Sequence, residues 1–189
     1  MNLTNPRGTV EMDDRDLIAF AQQGDRQAFT ELVYRYQDRM VSLTYRMCGD
    51  LRLAEDAAQE AFVRVWQNLN SHKPQYAFRS WLYRIATNAA LDALRRERPI
   101  TELDSLSLAD PGTTPERSAE DNQQAAHIRR AIAQLSEPLR VVLILREYQE
   151  LTYQEIANAL DIPVGTVMSR LNTARVQLRQ ELLVLLEEV

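Results

Sequence analysis

The chain has one cysteine, two histidines and five glycines among 189 residues, and each scarcity removes a class of protein. A lone Cys48 cannot form an internal disulfide. With His72 and His127 far apart in sequence, it cannot complete a zinc site either. Cys48 reads as core or near-core packing, with a redox-sensing thiol as the alternative. No Gly-rich phosphate loop and no Ser-His-Asp set is present, so a hydrolase or transferase is poorly supported and no cofactor is expected. No apolar run approaches the ~18 residues that span a bilayer. The first twelve residues are polar and lack the basic-then-apolar order of a signal peptide, which places the protein in the cytoplasm as an expectation. Basic excess is missing too: the net charge is −5, where a protein that bound DNA strongly by itself would usually be basic.

What is present favours helix. Ala, Leu, Glu, Gln and Arg are plentiful, apolar residues make up 45% and charged ones 26%. The spacing predicts four helices in the first half. Asp13 or Asp14 caps one that ends near Gly24. Asp25 caps the next, where Phe29, Leu32, Val33, Tyr36, Met40, Leu43 and Met47 recur at helical spacing and Gly49 ends the run. Asp50 caps a third, to about Leu69. After a loop from Asn70 to Ala77, a fourth runs from Phe78 to Arg98, where Pro99 stops it.

Between Pro99 and Asp121 the periodicity is lost among Pro, Gly, Ser and Thr, as in an interdomain linker. Six acids there oppose Arg117 alone, an excess of five negative charges equal to that of the whole chain. Helices return over 122–134, from a Ser136 cap to Tyr148, over 153–160 and over 164–186. The expected architecture is all-α: a disordered tail over 1–12, a helical domain over 13–98, a flexible acidic linker over 99–121 and a second helical domain over 122–189.

Three constellations carry function. Leu151 to Leu171 has the pattern of a helix-turn-helix: Thr152 and Glu155 form a capping box, Ala157 is small where helices cross, and Asp161-Ile162-Pro163 turns the chain. The second helix then offers Thr166, Ser169, Arg170, Asn172, Thr173 and Arg175, side chains able to read base edges or hold phosphates. A plain helical hairpin with a solvated face is the alternative. On the third helix, Leu53, Ala57, Ala61, Val65 and Leu69 face the core, while Asp56, Gln59, Glu60 and Val63 share another face suited to a partner that presents arginines. On spacing alone a solvated face is the commoner explanation. On the fourth helix, Phe78, Trp81, Leu82, Ile85 and Ala89 form a core stripe, so Trp81 reads as packing. Arg84, Asn88, Asp92 and Arg95 lie opposite, and five arginines outnumber two acids. A basic helix beside a loop carrying Tyr76 suits a single nucleic-acid strand.

The motifs Gly24-Asp-Arg-Gln-Ala-Phe29, Ala54-Glu-Asp-Ala-Ala-Gln-Glu-Ala-Phe62, Trp81-Leu-Tyr-Arg-Ile-Ala-Thr-Asn88 and Pro163-Val-Gly-Thr-Val-Met-Ser-Arg170 follow in order. Their order and spacing resemble the extracytoplasmic-function (group 4) sigma factors of the sigma-70 family, from about Asp14 to Leu183. The resemblance implies a protein that binds core RNA polymerase and directs it to promoters, not an enzyme in its own right. By that resemblance Asp56, Gln59 and Glu60, with Val63 beside them, grip the arginine-bearing β′ clamp helices. The loop from Asn70 to Ser80, with Tyr76, captures a flipped −10 base, and Arg84, Asn88, Asp92, Arg95 and Arg96 lie along the −10 element. The helix-turn-helix reads the −35 element and touches the β flap. The acidic linker follows the path of emerging RNA. An anti-sigma partner is usual in the family. Met168 and Thr173 depart from it, standing where basic residues are common. A LuxR-type regulator shares the helix-turn-helix but needs a strand-containing N-terminal domain, and a helical adaptor leaves the helix-turn-helix chemistry unexplained.

Overall fold

The computed structural model describes residues 12–73, 77–97 and 119–187, with side chains over 125–183 in the last stretch. The expected tail, most of the expected linker and Tyr76 lie outside the described residues. Eight α-helices and one 3-10 turn, with no strand among the described residues, follow one another. They are α1 (Asp14–Gln22), α2 (Arg26–Cys48), α3 (Leu51–Asn68), the turn Leu69–Ser71, α4 (Phe78–Glu97), α5 (Ala119–Gln134), α6 (Glu137–Glu147), α7 (Tyr153–Leu160) and α8 (Val164–Glu187).

Local chemistry sets most boundaries. The side chains of Asp13, Asp25 and Asp50 accept from main-chain N–H groups at the starts of α1, α2 and α3. Gly49 ends α2 at φ 76°, a conformation that glycine adopts without strain. Two expectations change. Ser136 stands at the N-cap of α6, but its hydroxyl makes no capping bond. Helix α5 starts at Ala119, three residues before the expected start.

In the first half, α3 and α4 meet through alanines. Ala54, Ala57, Ala58 and Ala61 of α3 and Ala86, Ala89, Ala90 and Ala93 of α4 are all buried. Small side chains let the backbones approach, and the larger Leu32, Met40, Leu43 and Tyr83 fill the space beside them. Cys48 is buried as expected, and burial pushes its thiol up to about 12.

In the second half, every residue from Arg140 to Leu145 is buried. A helix apolar all round must be covered on all sides. Helix α6 is covered by α7 and α8 and, from the first half, by α2, so one hydrophobic core runs through both halves. No helix among the described residues is long and apolar enough to cross a membrane.

Candidate nucleic-acid and partner interfaces

Three surfaces stand out. The first is the outer face of α3. Ala57, Ala61 and Val65 are buried, which turns Asp56, Gln59 and Val63 outward and leaves Glu60 half-buried. Asp56 has no ion pair among the described residues. Glu60 is held instead by the Nε of Arg64 at 2.9 Å. Trp66, packed at a tilt against Phe29 with ring centroids 4.8 Å apart and partly exposed, extends the apolar end of this face. Its spacing of three from Val63 was the signal for it in the sequence.

The second surface is α4. Arg84, Asn88, Arg95 and Arg96 are exposed and Asp92 is half-buried. Asp92 is committed to cations on both sides. Its carboxylate accepts from Arg64 Nη1 at 2.8 Å and lies 3.7 Å from Arg95. Asp92, then Glu60, hold the Arg64 guanidinium more firmly protonated than usual. A negative charge that would repel a phosphate is thus largely compensated.

Beside Arg84 and Asn88 lies an open, mainly polar recess of about 230 Å³. Its walls are Arg64, Asn68 and Ser71 on one side and Trp81, Arg84, Ile85 and Asn88 on the other. Trp81 does pack, against the rings of His72 at 5.1 Å and Phe78 at 5.9 Å, yet it also lines the recess. Sequence reading missed Arg64 and Asn68, while Ser71 falls in the expected loop from Asn70 to Ser80. Arg64 and Asn68 continue the four-residue spacing from Glu60, which was a usable signal.

The third surface is the helix-turn-helix. The capping box of α7 is formed: Thr152 Oγ1 accepts from Glu155 N at 3.2 Å, and Thr152 N donates to Glu155 Oε2 at 2.8 Å. Asp161 ends α7 at φ 54°, and Ile162 N donates back to Ala157 O at 3.1 Å, which sets the turn. Val167, Leu171 and Ala174 are buried against this core. Ser169, Asn172, Thr173 and Arg175 face solvent on α8, while Thr166 and Arg170 are half-buried. The hydroxyls of Ser169 and Thr173 donate to the carbonyls of Thr166 and Ser169, each at 3.0 Å. Arg175 turns back to Glu147 of α6 at 2.7 Å. Val176, not singled out from the sequence, is 47% exposed on the outward side near Asn172.

No group of three or more His, Cys, Asp or Glu able to hold a metal occurs among the described residues.

A sigma-70 region 2 model matches residues 32–100, and a sigma-70 region 4 model matches residues 126–178. The "ECF RNA polymerase sigma factor SigW" of Bacillus subtilis is 36% identical over 184 residues, covering 92% of this chain and 98% of that one. CnrH, solved in complex with the cytosolic domain of CnrY, superposes with a TM-score of 0.70 at 25% identity, covering 88% of this chain and 95% of that one. RpoE of Bartonella quintana, solved with the anti-sigma factor NepR, shares the fold with a TM-score of 0.67 at 20% identity, covering 82% and 97%.

Proposed function

The chain belongs to the extracytoplasmic-function sigma factors of the sigma-70 family, and from that premise we propose how its three surfaces divide the work. It is an RNA polymerase sigma factor for promoter-specific transcription initiation. The polymerase makes the RNA; this chain supplies recognition and no bond-making step of its own, and it works in the cytoplasm with its polymerase.

The division of labour follows the domains: 13–98 binds core polymerase and the −10 element, 122–189 binds the −35 element, and 99–121 joins them behind a tail over 1–12. The α3 face meets core polymerase, with Asp56 and Gln59 offered to arginines and Val63 and Trp66 supplying apolar contact. Arginine is the natural partner because its planar fork binds carboxylates in a fixed geometry. The recess beside α4 takes an unpaired base of the melted −10 element. Trp81 and Ile85 offer an apolar wall, and Asn68 and Asn88 offer hydrogen bonds to the base edge. Arg84, Arg95 and Arg96 follow the phosphates. Helix α8 enters the major groove of the −35 element with Ser169 and Asn172 at its centre and Arg170 and Arg175 on its flanks. An anti-sigma factor is the expected inhibitory partner.

The observation that carries this reading is the order of surfaces in one chain: an acidic α3 face, a basic α4 with its polar recess, and a capped helix-turn-helix. The test is retention on core polymerase. The purified chain should co-elute with core enzyme and should bind promoter DNA tightly only in that complex. A chain that binds duplex DNA unaided and ignores the polymerase would instead match a LuxR-type regulator.

A further inference from the structure

One arginine touches two of the proposed surfaces at once. Arg64 lies on α3 four residues after Glu60, and its Nε donates to Glu60 at 2.9 Å. Its Nη1 reaches across to Asp92 of α4 at 2.8 Å. The same guanidinium forms part of the recess wall facing Arg84 and Asn88. Its third nitrogen, Nη2, has no hydrogen-bond partner among the described residues.

We propose that Arg64 couples polymerase binding to −10 strand binding: withdrawal of Glu60 frees Arg64 for a strand phosphate, and a phosphate on Arg64 frees Glu60. The inference rests on the roles given above to the α3 face and the recess. Its physical basis is charge. In the free chain, two carboxylates share the Arg64 guanidinium, and Asp92 also lies 3.7 Å from Arg95, so the charge of Arg64 is spent on its own neighbours. When a polymerase arginine takes Glu60, one negative charge is withdrawn from Arg64 beside the recess. An approaching phosphate then meets less repulsion and a guanidinium with two nitrogens to offer. Linkage makes the effect reciprocal. This gives the free, acidic chain a local reason to hold DNA weakly until it has docked.

A simple staple between α3 and α4 makes the opposite forecast. Breaking the Glu60 contact would then loosen the recess and weaken strand binding.

The test uses the full chain and a labelled single-stranded oligonucleotide carrying the −10 element of a promoter that the holoenzyme transcribes. Affinity is measured without polymerase at about 50 mM salt, where phosphate contacts are strongest. Half-exposed ion pairs of this kind are weak, so Glu60→Gln should tighten strand binding by about two- to fivefold. In an Arg64→Gln background the same change should give no gain, which separates coupling from a general loss of negative charge. Asp56→Asn, which removes an equal charge without touching Arg64, should give less than Glu60→Gln. Circular dichroism of each variant confirms that helicity is kept. Unchanged, weaker or unmeasurable binding by Glu60→Gln overturns the proposal, as does a gain that survives Arg64→Gln. Core affinity of Glu60→Gln is measured separately. If it is unchanged, the polymerase role of Glu60 fails on its own, without reference to the strand-binding result.

Discussion

Arg140 of α6 donates from Nη1 to the main-chain carbonyl of Met47 in the last turn of α2, at 3.0 Å. Its Nη2 serves the carbonyls of Ala133 and Leu135 at the end of α5. The side chain is 8% exposed, so a single buried cation satisfies the carbonyl ends of two helices in different halves of the molecule. Replacing it with Leu leaves those carbonyls without their donor. Arg140→Leu should cost about 2–4 kcal/mol in chemical denaturation. A loss below about 0.5 kcal/mol would show that water or neighbouring groups replace Arg140 without penalty.

If each half reads its own element as proposed, the halves that Arg140 joins must separate at a promoter. Elements centred near −10 and −35 lie about 25 base pairs apart, or roughly 85 Å along the duplex. In the free chain, α4 packs directly on α7, and Arg79 at the start of α4 donates to Gln149 O just before α7 at 2.6 Å. The contacts across the boundary are polar at their edges, with Arg46 over the Tyr148 ring at 3.9 Å and Arg95 near Glu137 at 3.6 Å. Dyes at two exposed positions, Tyr34→Cys on α2 and Leu183→Cys on α8, should show high energy transfer in the free chain and low transfer in the promoter complex. Unchanged transfer would mean that the packed arrangement itself sits on DNA.

The two DNA-reading surfaces should fail differently. Arg170→Ala should relax −35 preference by roughly tenfold or more if it contacts a base edge, a contact worth about 1–3 kcal/mol. If it holds only phosphate, all promoters should weaken evenly. Asn88→Ala should impair opening of the −10 element more than initial duplex binding. Permanganate reactivity of unpaired thymines beside a gel-shift assay separates the steps. Equal losses in both for Asn88→Ala, or a pure melting defect for Arg170→Ala, would contradict the division.

Alkaline stability provides an independent check on the core. Burial raises the Cys48 thiol from an ordinary 9.0 to about 12, so the folded chain keeps a proton that the unfolded chain releases. Stability from this group is full below pH 9.0 and falls as pH rises toward about 12. The slope in that window is about 1.4 kcal/mol per pH unit. Burial, then the bond to Asp14, raises Tyr36 in the same direction and steepens the fall at higher pH. Cys48→Ala should flatten the curve between pH 9 and 10.5, read by denaturant titration. An equally steep curve in the variant would show that the thiol does not contribute.

The helical fold was legible because its signals are local. Apolar spacing, the caps Asp13, Asp25 and Asp50, the Gly49 ending and the Thr152–Glu155 box each act within a few residues, and each forms. What escaped was long-range. Arg64 meets Asp92 across 28 positions, and Arg175 meets Glu147 across 28 more, so no periodicity announces either pair. The recess needs the end of α3 and the start of α4 together, and the α3 part of its wall, Arg64 and Asn68, was therefore missed. The burial of α6 against α2 depends on how the halves dock, which composition does not encode.

Run-off transcription tests the central claim most directly. Core polymerase with this chain should give discrete transcripts, starting at sites absent from reactions with core alone. Asp56→Arg should abolish those starts and core binding while leaving helicity intact, because Asp56 is exposed and has no ion pair among the described residues. Identical transcripts with and without the chain, or full activity and core binding from Asp56→Arg with helicity intact, would contradict the account.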